Sequence, residues 1–235
     1  MFNNKKILAI IPARGGTKRL PRKNILNLAG KSLIAWSIEA ALDSKYIDSV
    51  IVSTDDKEIA KISIEYGAEV PFIRPNELAT DEASSVSVVF HAINMLKKKG
   101  KEYDYIMLLQ PTSPLRTTKN IDESVELLRS SNSEALVSVC EAEHNPLWFN
   151  TLPQDSNFSN FLNQSILSKR SQDLDQYYRL NGAIYLCLIK RLFEEKTLFI
   201  KDKIIAYKMS QEQSVDIDNK VDFCLASCLL NSHFN

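Results

Sequence analysis

Apolar and polar residues alternate along this chain in two kinds of block. Residues 7–11 form an unbroken apolar run, Ile-Leu-Ala-Ile-Ile, ended by Pro12. The run is too short for a membrane span and has the character of a strand covered on both faces. Residues 32–42 then place Leu33, Ile34, Ile38, Ala41 and Leu42 at helical spacing. The same two patterns predict further strands at 48–54, 105–109, 135–139, 183–188 and 204–209, and helices at 55–66, 84–96, 118–128 and 220–230. Helices of this length between strands imply crossover connections. The pattern therefore predicts a doubly wound α/β fold with a mainly parallel sheet covered on both faces.

In such sheets ligands sit beyond the carboxyl ends of the strands. Three polar segments fall there: 13–24, Thr54-Asp55 and 110–116. The first carries Arg14, Lys18, Arg19, Arg22 and Lys23 with no acid among them. Gly15 and Gly16 let its backbone turn N–H groups toward an anion. A triphosphate is the expected guest, and a solvated turn is the plainer alternative. The segment matches neither Gly-x-x-x-x-Gly-Lys-Ser/Thr nor Gly-x-Gly-x-x-Gly, so it is neither the Walker cradle nor the dinucleotide fingerprint.

Later in the chain, Asp216 and Asp218 lie two apart in an extended stretch, which turns both carboxylates to one face. Two oxygen ligands suit a hard cation such as Mg2+; the alternative is a polar strand end with Asp218 capping the next helix. Gln110 opens a double-proline turn, and Arg179 and Asn181 precede an apolar strand at the same pole of the sheet. Together they offer a polar, carboxylate-seeking wall, although each also fits ordinary turn chemistry.

Composition narrows the classes. At 235 residues the chain fits one compact domain, residues 1–235, and its formal net charge of zero argues against nucleic acid as a partner. No apolar stretch approaches a membrane span, and no signal-type region precedes the first strand, so a cytoplasmic protein without a membrane partner is expected. Cys140, Cys187, Cys224 and Cys228 sit in apolar segments without metal-ligand spacing and read as reduced core thiols. Residues 141–178 break the rhythm, mixing Asn, Gln and Ser with Trp148, Phe149, Phe158, Phe161 and Leu162.

Six ordered motifs carry a family resemblance: Ile-Pro-Ala-Arg-Gly-Gly-Thr-Lys from residue 11, Val-Ser-Thr-Asp from 52, Arg-Pro-Asn-Glu-Leu-Ala-Thr-Asp from 74, Gln-Pro-Thr-Ser-Pro-Leu-Arg from 110, Arg-Leu-Asn-Gly-Ala-Ile-Tyr from 179 and Ser-Val-Asp-Ile-Asp from 214. Over nearly the whole chain they resemble the acylneuraminate cytidylyltransferases, the CMP-sialic acid synthetases. The resemblance implies a nucleotidyltransferase-like, Rossmann-type sheet and a transfer of CMP from CTP to the anomeric hydroxyl of a nine-carbon 2-keto sugar acid, releasing pyrophosphate. Sialic, legionaminic and pseudaminic acids are such acceptors. It implies that Arg14, Lys18 and Lys23 hold phosphates, that Asn24 lies at the ribose, and that Arg74 and Ser85 lie near the cytosine. Gln110, Arg170, Arg179, Asn181 and Tyr185 would line the sugar side, and Asp216 and Asp218 would hold Mg2+. Arg14, Lys18, Asp216 and Asp218 form the implied catalytic set.

The sugar half departs from the family pattern. Gln172-Asp173 follows Ser171 where many relatives have arginine, with Arg170 one residue earlier, and Trp148 stands where some sialate enzymes have lysine. Lys18-Arg19-Leu20-Pro21 is also similar to the eight-carbon (KDO) synthetases. CMP-KDO synthesis is therefore one alternative, and a non-catalytic nucleotide-binding scaffold is another. The irregular segment 141–178 resembles a dimerisation arm that reaches a partner's site, implying a homodimer; a self-packed lid is the other reading.

Overall fold

The computed structural model describes residues 5–167 and 169–232. Residue 168 of the expected arm and both ends of the expected 1–235 domain lie outside the described residues. Six strands form the main sheet: β1 (Ile7–Pro12), β4 (Ser49–Ser53), β5 (Tyr105–Leu108), β6 (Ala135–Glu141), β7 (Tyr178–Leu188) and β8 (Ile204–Met209). Two further strands, β2 (Asn27–Leu28) and β3 (Lys31–Ser32), make a small hairpin. The helices are α1 (Leu33–Leu42), α2 (Lys57–Glu65), α3 (Ser85–Lys98), α4 (Thr118–Ser130), α5 (Ile189–Glu195) and α6 (Lys220–Ser232). No described helix is long and apolar enough to cross a membrane.

The spatial order is β4-β1-β5-β7-β6-β8. All pairings are parallel except those of β7, which runs antiparallel to both β5 and β6. The sheet is thus mainly parallel, as the alternation of elements predicts. Strand β1 shows why both faces are covered: Ile7, Ala9 and Ile11 pack into one core with α1, α2 and α4, while Leu8 and Ile10 pack into another with α3 and α5. A third, smaller core joins Leu28, Leu33, Leu115, Ile217, Ala226 and Leu230, which fixes the segment between Asp216 and Asp218 under the hairpin and α6.

Two features of topology create the site. The chain leaves β1 toward β4 on one side and returns to β5 on the other, so the loops after β1 and β5 diverge and open a crevice at their carboxyl ends. Strand β7 then departs from regular pairing. Its register with β6 passes from Val137↔Tyr185 to Val139↔Leu180, so residues 181–184 stand opposite Ser138 alone. A bulge of this kind re-aims side chains beside a site. Ser138 repairs the ladder: its Oγ accepts from the Ile184 N–H at 2.8 Å and donates to Asn181 Oδ1 at 2.6 Å. Arg116 repairs it from the other side, donating through Nη1 to the Ala183 and Gln110 carbonyls at 2.9 and 3.1 Å. Burial pushes the Arg116 guanidinium down to about 9, which leaves it protonated at neutral pH.

The chain departs from expectation at three places. Cys140 and Cys187 are buried, but Cys224 and Cys228 are exposed on the outer face of α6, because that helix buries Ala226 and Leu230 instead. Strand β7 begins at Tyr178 rather than at residue 183, since the bulge breaks its period of two. Helix α5 follows β7 without a break, so the apolar run conceals the change of element.

The bulge makes a stability prediction. Ser138→Ala removes the acceptor of a buried N–H and one partner of a buried amide, and should cost about 1–3 kcal/mol in urea denaturation. Wild-type stability would contradict the role given to this hydroxyl.

Candidate active site

The loop after β1 owes its shape to carboxylates from other segments. The Gly15 N–H donates to Asp55 Oδ1 at 3.1 Å, and a Cβ on Gly15 would meet Asp56 Oδ2 at 2.6 Å, so only glycine fits this approach. The Gly15 N–H therefore does point at an anion, but one supplied by the chain itself, the Asp55 carboxylate. Asp56 also caps α2 through the Glu58 and Ile59 N–H groups. Arg22, held in the left-handed region at φ 59°, pairs with Asp56 and Glu58. Asn24, buried, donates to the Arg14 carbonyl at 3.0 Å, while its Oδ1 has no hydrogen-bond partner in the structure.

This loop, the turn after β5 and residues 74–88 line a cavity of about 610 Å³. Eight of the expected site residues meet there: Arg14, Lys18, Lys23, Asn24, Arg74, Ser85, Gln110 and Asp218. Arg14 Nη2 and Lys18 Nζ converge on the two oxygens of Asp81, at 2.5 and 2.6 Å. Those hydrogen bonds hold the Asp81 carboxyl below the usual carboxylate range, first through Lys18 and then through Arg14. The pair is thus preset to bridge an oxyanion. Lys23 Nζ reaches the Ile217 carbonyl at 2.7 Å and Asp218 Oδ1 at 3.4 Å, and Arg19 Nη1 reaches Asp218 Oδ2 at 3.3 Å.

Arg74 is buried at the other end of the cavity. Its backbone N–H donates to the Thr54 carbonyl at 2.7 Å, while its Nε and Nη2 have no hydrogen-bond partner among the described residues. Burial pushes its pKa down, and Asp55, 3.6 Å from Nη2, opposes that shift. Ser85 begins α3, whose cap is the preceding Ser84.

Behind Gln110, the bulge of β7 brings Gly182 and Asp216 close to it, although neither of those two residues lines the cavity. Gly182, at φ +72°, lets Gln110 Oε1 come within 3.1 Å of the position its Cβ would take, with Asp216 Oδ2 3.8 Å away. Asp216 is mostly buried, and its Oδ1 has no hydrogen-bond partner. Burial raises its pKa above the usual carboxylate range; a Thr112 hydrogen bond opposes this and nearby Asp218 adds to it. The two carboxylates thus share one neighbourhood, in which Asp218 is paired with Arg19 and Lys23 and Asp216 has no ion pair among the described residues. Asp218 does not cap α6: Asn219 does, accepting from the Val221 N–H at 2.7 Å. Among the described residues, no group of three or more His, Cys, Asp or Glu is gathered to hold a metal ion.

The remaining expected sugar-side residues do not line the cavity. Asn181 stands behind its wall, with Oδ1 engaged by Ser138 and Nδ2 donating to Ser214 Oγ at 2.9 Å. Tyr185 packs edge-on against Phe199 within the sheet's other core. Arg179 is held by Glu143, Nη2 to Oε1 at 2.6 Å, and that contact pulls the Glu143 carboxyl down to about 2. Arg170 is exposed and paired with Asp173 at 3.1 Å. In the irregular segment Phe149, Leu152, Phe158 and Leu167 are 58–64% exposed, and Phe158 stacks on Phe161 with ring centroids 4.4 Å apart. Sequence reasoning placed Asp55 at the ligand pole without giving it a role, and gave none to Asp81, Thr112 or Gly182. All four sit inside the six motifs, but their roles come through partners far away in sequence.

The protein-family model described as cytidylyltransferase matches residues 8–217. The chain is 36% identical over 231 residues to the CMP-N,N'-diacetyllegionaminic acid synthase of Legionella pneumophila, covering 96% of each. It is 39% identical over 222 residues to the N-acylneuraminate cytidylyltransferase of Escherichia coli O18:K1:H7, covering 94% of this chain and 51% of that protein. A solved structure of a CMP:2-keto-3-deoxy-manno-octonic acid synthetase complexed with CTP superposes with a TM-score of 0.71, at 17% identity, over 97% of this chain and 99% of the other. With a matching family model over most of its length and a cation-lined crevice at the carboxyl ends of its strands, the chain belongs to the cytidylyltransferase family.

Proposed function

We propose that this chain transfers CMP from CTP to the anomeric hydroxyl of a nine-carbon 2-keto sugar acid, releasing pyrophosphate. One observation carries the reading: Arg14 and Lys18 close on the two oxygens of Asp81 inside the cavity, an internal oxyanion where a polyphosphate would lie. The names of the sequence relatives, for legionaminic and neuraminic acids, favour a nine-carbon acceptor. The KDO synthetase likeness, at 17% identity, speaks for the fold alone.

In this reading the acceptor hydroxyl attacks the α-phosphorus in line. The new O–P bond forms as the bond to the pyrophosphate oxygen breaks, and the hydroxyl proton passes to water. The chain contributes position and charge. Arg14 and Lys18 exchange Asp81 for the outer phosphates and meet the negative charge gathering on the leaving group with donors already in place. Arg74 and Ser85 take the base end, Asn24 the ribose side, and Lys23 holds the loop to the segment carrying Asp216 and Asp218. Gln110 faces the acceptor from the opposite wall.

Asp216 and Asp218 fit a hard divalent cation, because Asp216 keeps a buried carboxylate oxygen without a hydrogen-bond partner among the described residues and a second carboxylate, that of Asp218, lies nearby. Mg2+ held there would supply charge neutralisation at phosphate oxygens, with water and phosphate completing its ligands. The exposed aromatic and aliphatic side chains of 141–178 support the homodimer reading, in which this arm packs on a second copy and brings Arg170 toward the partner's acceptor side.

Three outcomes test the reading. Pyrophosphate release from CTP and Mg2+ should appear with one of N-acetylneuraminic, legionaminic or pseudaminic acid and not with KDO; turnover of KDO alone would overturn the acceptor class. Lys18→Ala should slow turnover by about 100-fold, the scale of one preorganised charge stabiliser, and a few-fold loss would make this lysine peripheral. Without substrates, Mg2+ should raise the melting temperature of the wild type but not of Asp216→Asn; an equal rise in both would remove the metal assignment.

A further inference from the structure

We propose that Asp55 is a positioning residue that couples the phosphate loop to the reading of the base, and so sets the preference for CTP over UTP. The inference rests on the nucleotide reading above and adds a residue that reading does not use. Asp55 leaves the carboxyl end of β4 with its side chain 20% exposed. Its Oδ1 accepts from the Gly15 N–H at 3.1 Å, and the same oxygen lies 3.6 Å from Arg74 Nη2. A single carboxylate oxygen therefore touches both the backbone of the phosphate loop and the guanidinium at the base end.

Arg74 depends on that oxygen. Its side chain is 3% exposed, and no other ion pair is recorded for it among the described residues. Its Nε and Nη2 have no hydrogen-bond partner. Arg14 stands near enough to oppose its charge, which leaves Asp55 as the group that stabilises a cation there. A donor-only guanidinium suits the cytosine edge, where N3 and O2 both accept, and opposes the N3–H of uracil. Holding Arg74 in place therefore means holding the discrimination. Because the holding oxygen is also bonded to Gly15, the loop that grips phosphate and the arginine that faces the base keep a fixed spacing.

Asp55→Asn separates the two duties, since the amide keeps an acceptor for the Gly15 N–H and loses the charge opposite Arg74. Binding of CTP, UTP and inorganic tripolyphosphate is measured by calorimetry without acceptor, for the wild type, Asp55→Asn and Asp55→Ala. The expected result is a loss of about tenfold in the CTP-over-UTP affinity ratio for Asp55→Asn, the size of one recognition contact, with tripolyphosphate bound at least as tightly as by the wild type. Asp55→Ala, lacking the acceptor as well, should also weaken tripolyphosphate. An unchanged ratio in Asp55→Asn overturns the proposal, and so does a parallel loss for all three ligands, which would mean a merely structural role. Asp55→Ser, which also keeps an acceptor, gives the same comparison if the amide variant does not fold. A wild type that binds CTP and UTP alike also overturns the proposal, whereas a wild type that binds neither would overturn the nucleotide reading itself.

Discussion

Five positive charges on one short loop repel each other, and the site depends on how that repulsion is met. Every cation of the loop has an acid drawn from elsewhere: Asp81 for Arg14 and Lys18, Asp218 for Arg19 and Lys23, and Asp56 with Glu58 for Arg22. Partly exposed pairs of this kind each contribute little to stability. Their value is positional, because three separate segments converge on one loop and define the cavity between them. The backbone is fixed more firmly, where Gly15 donates to Asp55 and presses against Asp56. A polyphosphate entering this cavity meets cations that are already assembled, and exchanges one oxyanion for another at Asp81.

The opposite wall follows from a different constraint. Strand β7 is the one antiparallel member of the sheet, and its bulge leaves peptide groups that the ladder cannot satisfy. Ser138 and Arg116 satisfy them from β6 and from the turn after β5. That arrangement explains a buried arginine without a carboxylate partner: its duty is to peptide carbonyls. It also sets Gly182 against Gln110 and close to Asp216, so Gln110 and the neighbouring carboxylate share one support.

Much of this was legible in the sequence because it depends on period and order. Apolar runs and helical spacing placed most of the strands and helices, and strand-to-helix alternation located the polar loops at one pole of the sheet. The hairpin of β2 and β3 escaped because strands of two residues have no period, and β7 was read short because its bulge interrupts one. Partnerships were the least legible part. Asn181 looked like a ligand-facing amide, yet its hydrogen bonds go to Ser138 and Ser214, 43 and 33 residues away in sequence. Asp81 and Asp55 gave no signal alone, since their meaning lies in which cations they meet once the chain has closed.

The central claim is spatial: CTP lies with its outer phosphates between Arg14 and Lys18 and its base against Arg74, and Asp81 yields its place. A crystal structure of the protein with CTP tests this most directly. The account predicts phosphate oxygens within hydrogen-bond distance of Arg14 and Lys18, with the Asp81 carboxylate displaced from both. A nucleotide seated elsewhere, or one bound with both Asp81 ion pairs intact, would contradict it.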